Sequence, residues 1–454
     1  VTALLLSAAL VLSAAGCGSD NESDATTAPV ESEVPGATTA GSAEPVDVVA
    51  GQGVSDTEIK IGVVVDDSGP FAQFSPSIRA VFDAKVSAVN DNGGIAGRQL
   101  KVIYYDSKSD PATHLINDKR LWEEDEVLMI YSADLAGPSL DYSTEQEIPV
   151  ALGFGSPAIF SSKYPTVVSI ASMLTALSAQ MAYAVVNYQD KQPKNVAVSI
   201  YPFEEPLRFW IEDYWKELGA ETVTIDVGVD PTADCSALVL KYQAADIDFW
   251  QFNDNSWLAC IPAQLNAGWS PELGQGGPGT SQVSTADLIG QPMADLEVIA
   301  GAAIFADGRP VHAEPQPDNI EYTETIEKYA PEFATDRQLN DSLQVAVWVT
   351  ASLIADAIEG AAASGELSPA SINKWMLETE DWPTPMADPI PSLAGDCKSG
   401  NDATLWGTYE WDETKQELYV EPFAPAEGEA LINNDWFDPD PCYLTKLADE
   451  YYVD

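Results

Sequence analysis

The chain has 454 residues, 45% of them hydrophobic, with 72 Asp and Glu against 21 Lys and Arg and a formal charge of −51. A field of that sign repels nucleic-acid phosphates and anionic lipid headgroups, so both are set aside as partners. Only His114 and His312 are present, and no two cysteines have C-x-x-C spacing, so neither a metal nor another cofactor is expected.

Leu4–Ala15 is apolar, yet shorter than the about 20 residues that a transmembrane helix needs. It has the length of a signal-peptide h-region. Small residues Ala14, Ala15 and Gly16 lead to Cys17, and the stretch resembles a bacterial lipobox, which implies removal of residues 1–16 and acylation of Cys17. From Gly18 to about Asp56 the chain is Ser, Thr, Ala, Pro, Gly and acidic residues. Such a segment buries too little apolar surface to offset its ordering entropy. As a flexible tether of roughly 40 residues it spans on the order of 35 Å. No later stretch is expected to approach transmembrane length, so the body is expected to be soluble and to touch the membrane through the lipid anchor only.

The body alternates strand and helix. EIKIGVVVDD (58–67) is an apolar, β-branched run suited to a buried parallel strand. SPSIRAVFDAKVSAVNDNGG predicts a helix capped by Ser75, with Pro76 at its start and Ile78, Val81, Phe82, Val86 and Val89 on one face. QLKVIYYDS is the next strand, and DPATHLINDKRLWEEDE a second helix capped by Asp110. VLMIYSADL and IPVALGFGS supply two more strands. The pattern then restarts with MLTALSAQMAYAVVNYQ as helix and NVAVSIYPF as strand. EEPLRFWIEDYWKELGA puts Leu207, Trp210, Ile211, Tyr214, Trp215 and Leu218 on one face and stops at Gly219. ETVTIDVGV, a helix around 237–245, DIDFWQFND and SWLACIPAQLNAG continue the alternation. Two runs of βαβ units argue for an α/β fold of two doubly wound, mostly parallel lobes, with ligands bound beyond the carboxyl ends of the strands.

Beyond Cys17 lie Cys235, Cys260, Cys397 and Cys442, an even count that favours disulfides in an exported chain. Three pairings are open. Cys235 with Cys260 and Cys397 with Cys442 are favoured, because each pair is local in sequence. Each would close a loop worth roughly 3 to 4 kcal/mol in the chain-entropy picture.

GVVVDDSGPFAQFSPSIRAVFDAKVSAVNDNGGIAGRQLKVIYYDSKSDP resembles the opening of periplasmic solute-binding proteins of the branched-chain amino-acid (leucine/isoleucine/valine) type. SGPFAQF, NDNGGIAGRQL and YYDSKSDP fall in that family's order and spacing. A weaker likeness runs through DIDFWQFND, LNDSLQVAVWVTASLIADAIEGAAA and GTYEWDETKQ, so it spans most of Thr57 to about Pro425. The resemblance implies a type I periplasmic-binding-protein fold whose two lobes are joined by three hinge crossovers and close on a small-molecule ligand. It also implies a monomer that delivers cargo to ABC permease subunits, lipid-anchored on the outer face of the cell membrane. The crossovers are expected near 169–175, 298–305 and 388–397. Lobe one then covers 57–172 with 299–392 returning to it, and lobe two 173–298 with 393–425. Residues 426–454 form a C-terminal extension.

The resemblance also implies site residues. Phe74 occupies the place where the turn after the first strand meets the ligand. Ser132, Ala133 and Asp134 match a loop of small residues whose hydroxyls and backbone N–H groups hold a carboxylate, aided by a helix N-terminus. Gly155 and Ser156 match a second anchoring loop. In lobe two this chain has YPFEEPLR where the family often has a Tyr-Gly turn, so Tyr201, Phe203 or Glu205 is the candidate to face the cleft, and Asn253 and Asp254 lie at the carboxyl end of another strand, where an exposed Asx turn is an equal alternative. GGPGTSQ (276–282) lacks the acidic residue that the family's amino-acid binders place nearby for an ammonium group.

Enzyme readings have little to build on. GFGSPA (153–158) satisfies G-x-G-x-x-A, but no clear long helix follows. Neither histidine sits beside a nucleophile in sequence, and no carboxylate pair stands out, so no catalytic residue is expected. The alternative is a ligand-sensing lipoprotein of the same fold acting without a transporter, with a hydrolytic enzyme behind it.

Overall fold

The computed structural model describes residues 48–69, 71–133, 137–153, 157–170, 174–189, 191–230, 232–275, 286, 288–303, 317–335, 339, 341–384, 390–398, 405–422, 440 and 442–452. Cys17, Asp134, Gly155 and Ser156 therefore lie outside the described residues.

Val49–Ala50 (β1) precedes Glu58–Val65 (β2), which buries Ile59, Ile61, Val63, Val64 and Val65. A strand apolar on both faces suits a parallel sheet covered on both sides. Helix α1 (Ser75–Asp91) turns Ile78, Val81 and Phe82 inward. Ser75 is its first helical residue rather than its cap, because its hydroxyl donates to the Asp67 carboxylate. Strand β3 (Gln99–Asp106) leads to α2 (Pro111–Lys119), which Asp110 caps by accepting from the Thr113 N–H at 2.7 Å. Next come β4 (Met129–Ser132), α3 (Gly137–Glu145), β5 (Val150–Leu152) and β6 (Val167–Ser169). Among the described residues these strands form a parallel sheet in the order β3-β2-β4-β5-β6.

The chain leaves β6 and enters α4 (Leu174–Tyr188), then β7 (Asn195–Ile200), α5 (Arg208–Glu217) and β8 (Thr222–Val227). It continues through α6 (Ser236–Ala244), β9 (Phe249–Phe252), α7 (Trp257–Ala267), β10 (Glu272–Gln275) and β11 (Ile299–Ala303). These strands pair in parallel in the order β8-β7-β9-β10-β11, repeating the order of the first sheet. Each lobe is thus the same doubly wound unit, built around its first strand.

Helices Pro317–Tyr329 and Ser342–Ala363 then pack against α1, back on the first lobe. Leu343–Ala363 is long and apolar enough to span a bilayer, which corrects the expectation that no later stretch reaches that length. It is a core helix: Trp348, Val349, Leu353, Ile354 and Ile358 are buried in the first lobe's apolar cluster. Short strand β12 (Glu366–Leu367) pairs with β1, and β13 (Glu380–Trp382) with β14 (Ile390–Ser392). Leu393 and Ala394 still belong to the first lobe's core. Strands β15 (Leu405–Asp412) and β16 (Glu417–Pro422) add to the second sheet, antiparallel beside β11.

Two expected boundaries move. The return to lobe one does not begin at 299, because Ile299–Ala303 pairs with β10 and β15 inside the second sheet. The last departure does not begin at 393, because residues 393–394 pack in lobe one and Lys398 donates to its Ile159 and Tyr164 carbonyls. Disulfides join Cys235 to Cys260 and Cys397 to Cys442.

Candidate ligand site

In an open doubly wound sheet the ligand crevice opens where the strand order reverses, outside the carboxyl ends of the strands. In the first lobe that point lies between β2 and β4, and in the second between β7 and β9. The described residues that border it are 66–69 and 71–74, Ser132 and Ala133, 201–207, and 253–256. Phe74, Ser132, Ala133, Tyr201, Phe203, Asn253 and Asp254 all fall among them.

The turn after β2 is fastened from several sides. Asp66 accepts from the Ser107 hydroxyl and from the Ser109 N–H at 2.8 Å. Asp67 accepts from Arg79 Nε at 2.8 Å, and the Arg79 guanidinium holds its carboxyl below the ordinary range. Arg79 also lies over the Tyr104 ring, 4.0 Å from its centroid. Phe74 packs half-buried on the lobe-one core, with its ring centroid 6.4 Å from that of Phe71.

Ser132 and Ala133 differ from expectation. The Ala133 N–H donates to the Val64 carbonyl at 3.0 Å, continuing the β4 ladder, so it is already engaged. Ser132 is fully buried, and its Oγ lies 3.1 Å from His114 Nε2 on α2. Its side chain therefore points into the lobe, toward α2. The physical reason is register: Ser132 lies opposite Val64 on β2, and the side chain of Val64 belongs to the apolar layer under α2 and α3.

His114 Nε2 is also 3.6 Å from Asp118 Oδ1, one helical turn along. Burial pushes the His114 imidazolium down to about 4 and the Asp118 carboxyl up to about 7, the Ser139 hydroxyl working the other way on Asp118. The sequence reading, which set no histidine beside a nucleophile, missed this cluster. The i, i+4 spacing of His114 and Asp118 on one helix was the available signal. The cluster is not a nucleophilic triad. A relay needs one ring nitrogen for the serine and the other for the carboxylate, whereas Nε2 faces both here. Pro157–Phe160 is a single short helical turn, too short to cradle a pyrophosphate after the G-x-G-x-x-A stretch.

In the second lobe Tyr201 and Phe203 stack at 4.9 Å, with Phe203 37% exposed. Beneath them Glu204 is buried and accepts from the Tyr201 N–H at 3.1 Å. Asn253 is fully buried. Its N–H donates to the Ser199 carbonyl at 2.8 Å, and its Oδ1 accepts from Gln251 Nε2 at 2.7 Å. Asp254 Oδ1 accepts from the Ser256 N–H at 3.0 Å. That is an Asx turn, but a buried one, because Asp254 is only 4% exposed. Burial lifts its carboxyl to about 6. Asn253 Nδ2, Asp254 Oδ2 and Gln275 Nε2 are buried without a hydrogen-bond partner. Gln275 ends β10, pairs in register with Phe252, and accepts from the Tyr409 hydroxyl at 2.9 Å. The sequence reading did not single it out, since ELGQ is too short a strand to register as one.

Leaving such groups unpaired costs about 1–3 kcal/mol each. Asn253 Nδ2 and Asp254 Oδ2 lie just past the end of β9, whereas Gln275, in register with Phe252, belongs to the opposite face of the sheet from Asn253.

The periplasmic binding protein family profile matches residues 58–398. Among curated relatives, the Leu/Ile/Val-binding protein of Citrobacter freundii is 24% identical over 229 residues, which are 48% of this chain and 56% of that protein. The match thus spans little more than half of that relative. The fatty acid ABC transporter substrate-binding protein from Thermomonospora curvata superposes with a TM-score of 0.66 at 17% identity, covering 84% of this chain and 96% of that one. A solute-binding protein of an ABC transporter from Rhodopseudomonas palustris HaA2, in complex with p-hydroxybenzoic acid, superposes with a TM-score of 0.64 at 16% identity, covering 84% and 99%. With two lobes of repeated topology, three passages between them and a family match across three quarters of its length, this chain belongs to the periplasmic binding protein family.

Proposed function

We propose that the chain captures a small polar organic molecule (an amino acid, an amide or a related compound) between its two lobes and passes it to an ABC-type importer outside the cytoplasm. The observation that carries this reading is the pair of buried, unpartnered polar atoms on Asn253 and Asp254 just past the carboxyl end of β9 in lobe two. A ligand offering an acceptor to Asn253 and a donor to Asp254 satisfies both and removes their desolvation cost. Phe74, Tyr201 and Phe203 supply apolar walls. Asp134, Gly155 and Ser156 remain proposed lobe-one contacts on the strength of the family likeness, and Ser132 and Ala133 take supporting rather than contacting roles. The chain works as a monomeric binder without catalytic residues, moored through acylated Cys17 and its tether. Its two disulfides fit an oxidising compartment. The lobes are taken as 57–170 with 317–398, and 174–303 with 405–422.

The named relatives take leucine-type amino acids, a fatty acid and p-hydroxybenzoic acid, so the family accommodates quite different side groups. Mass spectrometry of small molecules released from the purified protein, followed by calorimetry with the molecule found, tests the proposal. A polar ligand bound one to one supports it. Failure of any amino acid, amide or carboxylate to bind the ligand-stripped protein would refute it.

A further inference from the structure

Helix Tyr443–Tyr452 lies beyond the stretch that the family profile covers, and it touches both lobes. On lobe one, Leu444, Leu447 and Ala448 share an apolar cluster with Ile159, Phe160 and Tyr164. Asp449 Oδ1 accepts from the Ser161 hydroxyl at 2.7 Å and from the Ser162 N–H at 2.8 Å. The disulfide Cys397–Cys442 ties the start of the helix to the segment from which the chain makes its last passage to lobe two. Beside that bond the Lys398 N–H donates to Thr445 Oγ1 at 2.8 Å. Lys398 Nζ, itself buried, donates to the Ile159 and Tyr164 carbonyls at 2.6 Å each. The helix is therefore covalently and polarly fixed to lobe one along most of its length.

The other contacts are on lobe two. The Tyr452 hydroxyl donates to the Phe203 carbonyl at 2.7 Å. The Tyr443 ring lies 6.4 Å from that of Trp210, and Leu207 and Trp210 pack against the same apolar cluster as Leu444 and Leu447. Pro157–Phe160 follows β5, and Pro202–Leu207 follows β7, both at the carboxyl ends of their strands where the crevice opens.

We propose that helix Tyr443–Tyr452 is a strap across the two lobes, which limits how far they part and fixes the turn that carries Tyr201 and Phe203. Asp449 and Tyr452 are its positioning residues. Three crossovers alone leave the lobes free to rotate about a hinge. A helix fixed to one lobe and bonded to the rim of the other adds a cost to that rotation: wide opening breaks the Tyr452–Phe203 hydrogen bond and bares the Trp210 and Tyr443 rings. Narrowing the open ensemble raises the fraction of molecules poised to bind, whatever the ligand is. The inference stands apart from the ligand reading, because it concerns the ligand-free chain.

Single-molecule energy transfer tests it, using the full chain without ligand and dyes attached through noncanonical residues at the exposed positions Lys374 in lobe one and Glu217 in lobe two. Tyr452→Phe is the mild variant, and Tyr452→Phe with Asp449→Asn the stronger one. Deleting residues 440–454 supplies the fully released state. The strap predicts an interlobe distance distribution that broadens and shifts to longer distances in that order, with far-ultraviolet circular dichroism of the point variants unchanged. A distribution identical to that of the parent chain in the double variant, with amide exchange in 443–452 raised to show that the helix has let go, overturns it. So does a shift to shorter distances in any variant. If the deletion does not fold, the two point variants decide the matter by themselves.

Discussion

Ser132 Oγ lies 3.1 Å from His114 Nε2, so a hydroxyl at the mouth of the first sheet is turned into the lobe. Ser132→Ala leaves a buried imidazole without that partner. The expected loss is about 1–3 kcal/mol of stability, read as a lower urea midpoint with an unchanged slope. A midpoint equal to that of the parent chain would show that the hydroxyl is not part of the lobe's internal bonding.

Asp118 should make stability fall as pH rises. Its folded carboxyl titrates at about 7, against 3.8 ordinarily, so between these values the folded chain keeps a proton that the unfolded chain has lost. That contribution is full at low pH and is gone above about 7. His114 has the opposite sign: held down to about 4 from 6.5, it disfavours the folded state on acidification through that window. Asp118→Asn removes the first effect and keeps the second. Relative to the parent, the variant should gain on the order of 3 kcal/mol between pH 4 and pH 7, measured by urea denaturation across that range. A constant difference would contradict the assignment.

Gly360 sits against Trp375. A Cβ placed there would lie 2.1 Å from Trp375 Nε1 and 2.3 Å from its Cδ1, and a ring cannot retreat as a flexible side chain does. Gly360→Ala should therefore cost about 1–3 kcal/mol or more through overpacking, despite the better helix propensity of alanine. Thermal unfolding measures it, and a rise in Tm would show that helix Ser342–Ala363 and helix Pro369–Glu378, which carries Trp375, separate easily.

Asp254 should trade stability against binding. Burial lifts its carboxyl to about 6, so at pH 7.5 the folded chain carries a buried charge that Asp254→Asn removes. The variant keeps an acceptor for the Ser256 N–H and should melt higher at that pH. A ligand donor that meets Oδ2 loses a charge-assisted bond, so affinity for the co-purified ligand should fall roughly ten- to a hundredfold. Calorimetry decides it. Unchanged affinity would move the lobe-two contact away from Asp254.

Much of the fold was legible because buried parallel strands announce themselves. EIKIGVVV is apolar on both faces, and its successors repeat that composition at βαβ spacing. Both disulfides are the pairings that locality favoured among the three open ones. What was not legible depended on register or on partners distant in sequence. Ile299–Ala303 is built from small residues and reads as a hinge, but β10 and β15 on either side hold it as a strand. The inward turn of Ser132 follows from its pairing with Val64, which no local pattern reveals. Asn253 and Asp254 were readable as polar residues ending a strand, whereas their burial was not. The role of the residues near Tyr452 was invisible, since their partners Phe203 and Ser161 lie more than 240 positions away.

Small-angle scattering on the ligand-stripped chain, before and after addition of the small molecule that co-purifies with it, tests the central claim most directly. Two lobes closing on that molecule predict a smaller radius of gyration in the loaded sample. Superimposable profiles at saturating ligand would contradict a binding cleft between them.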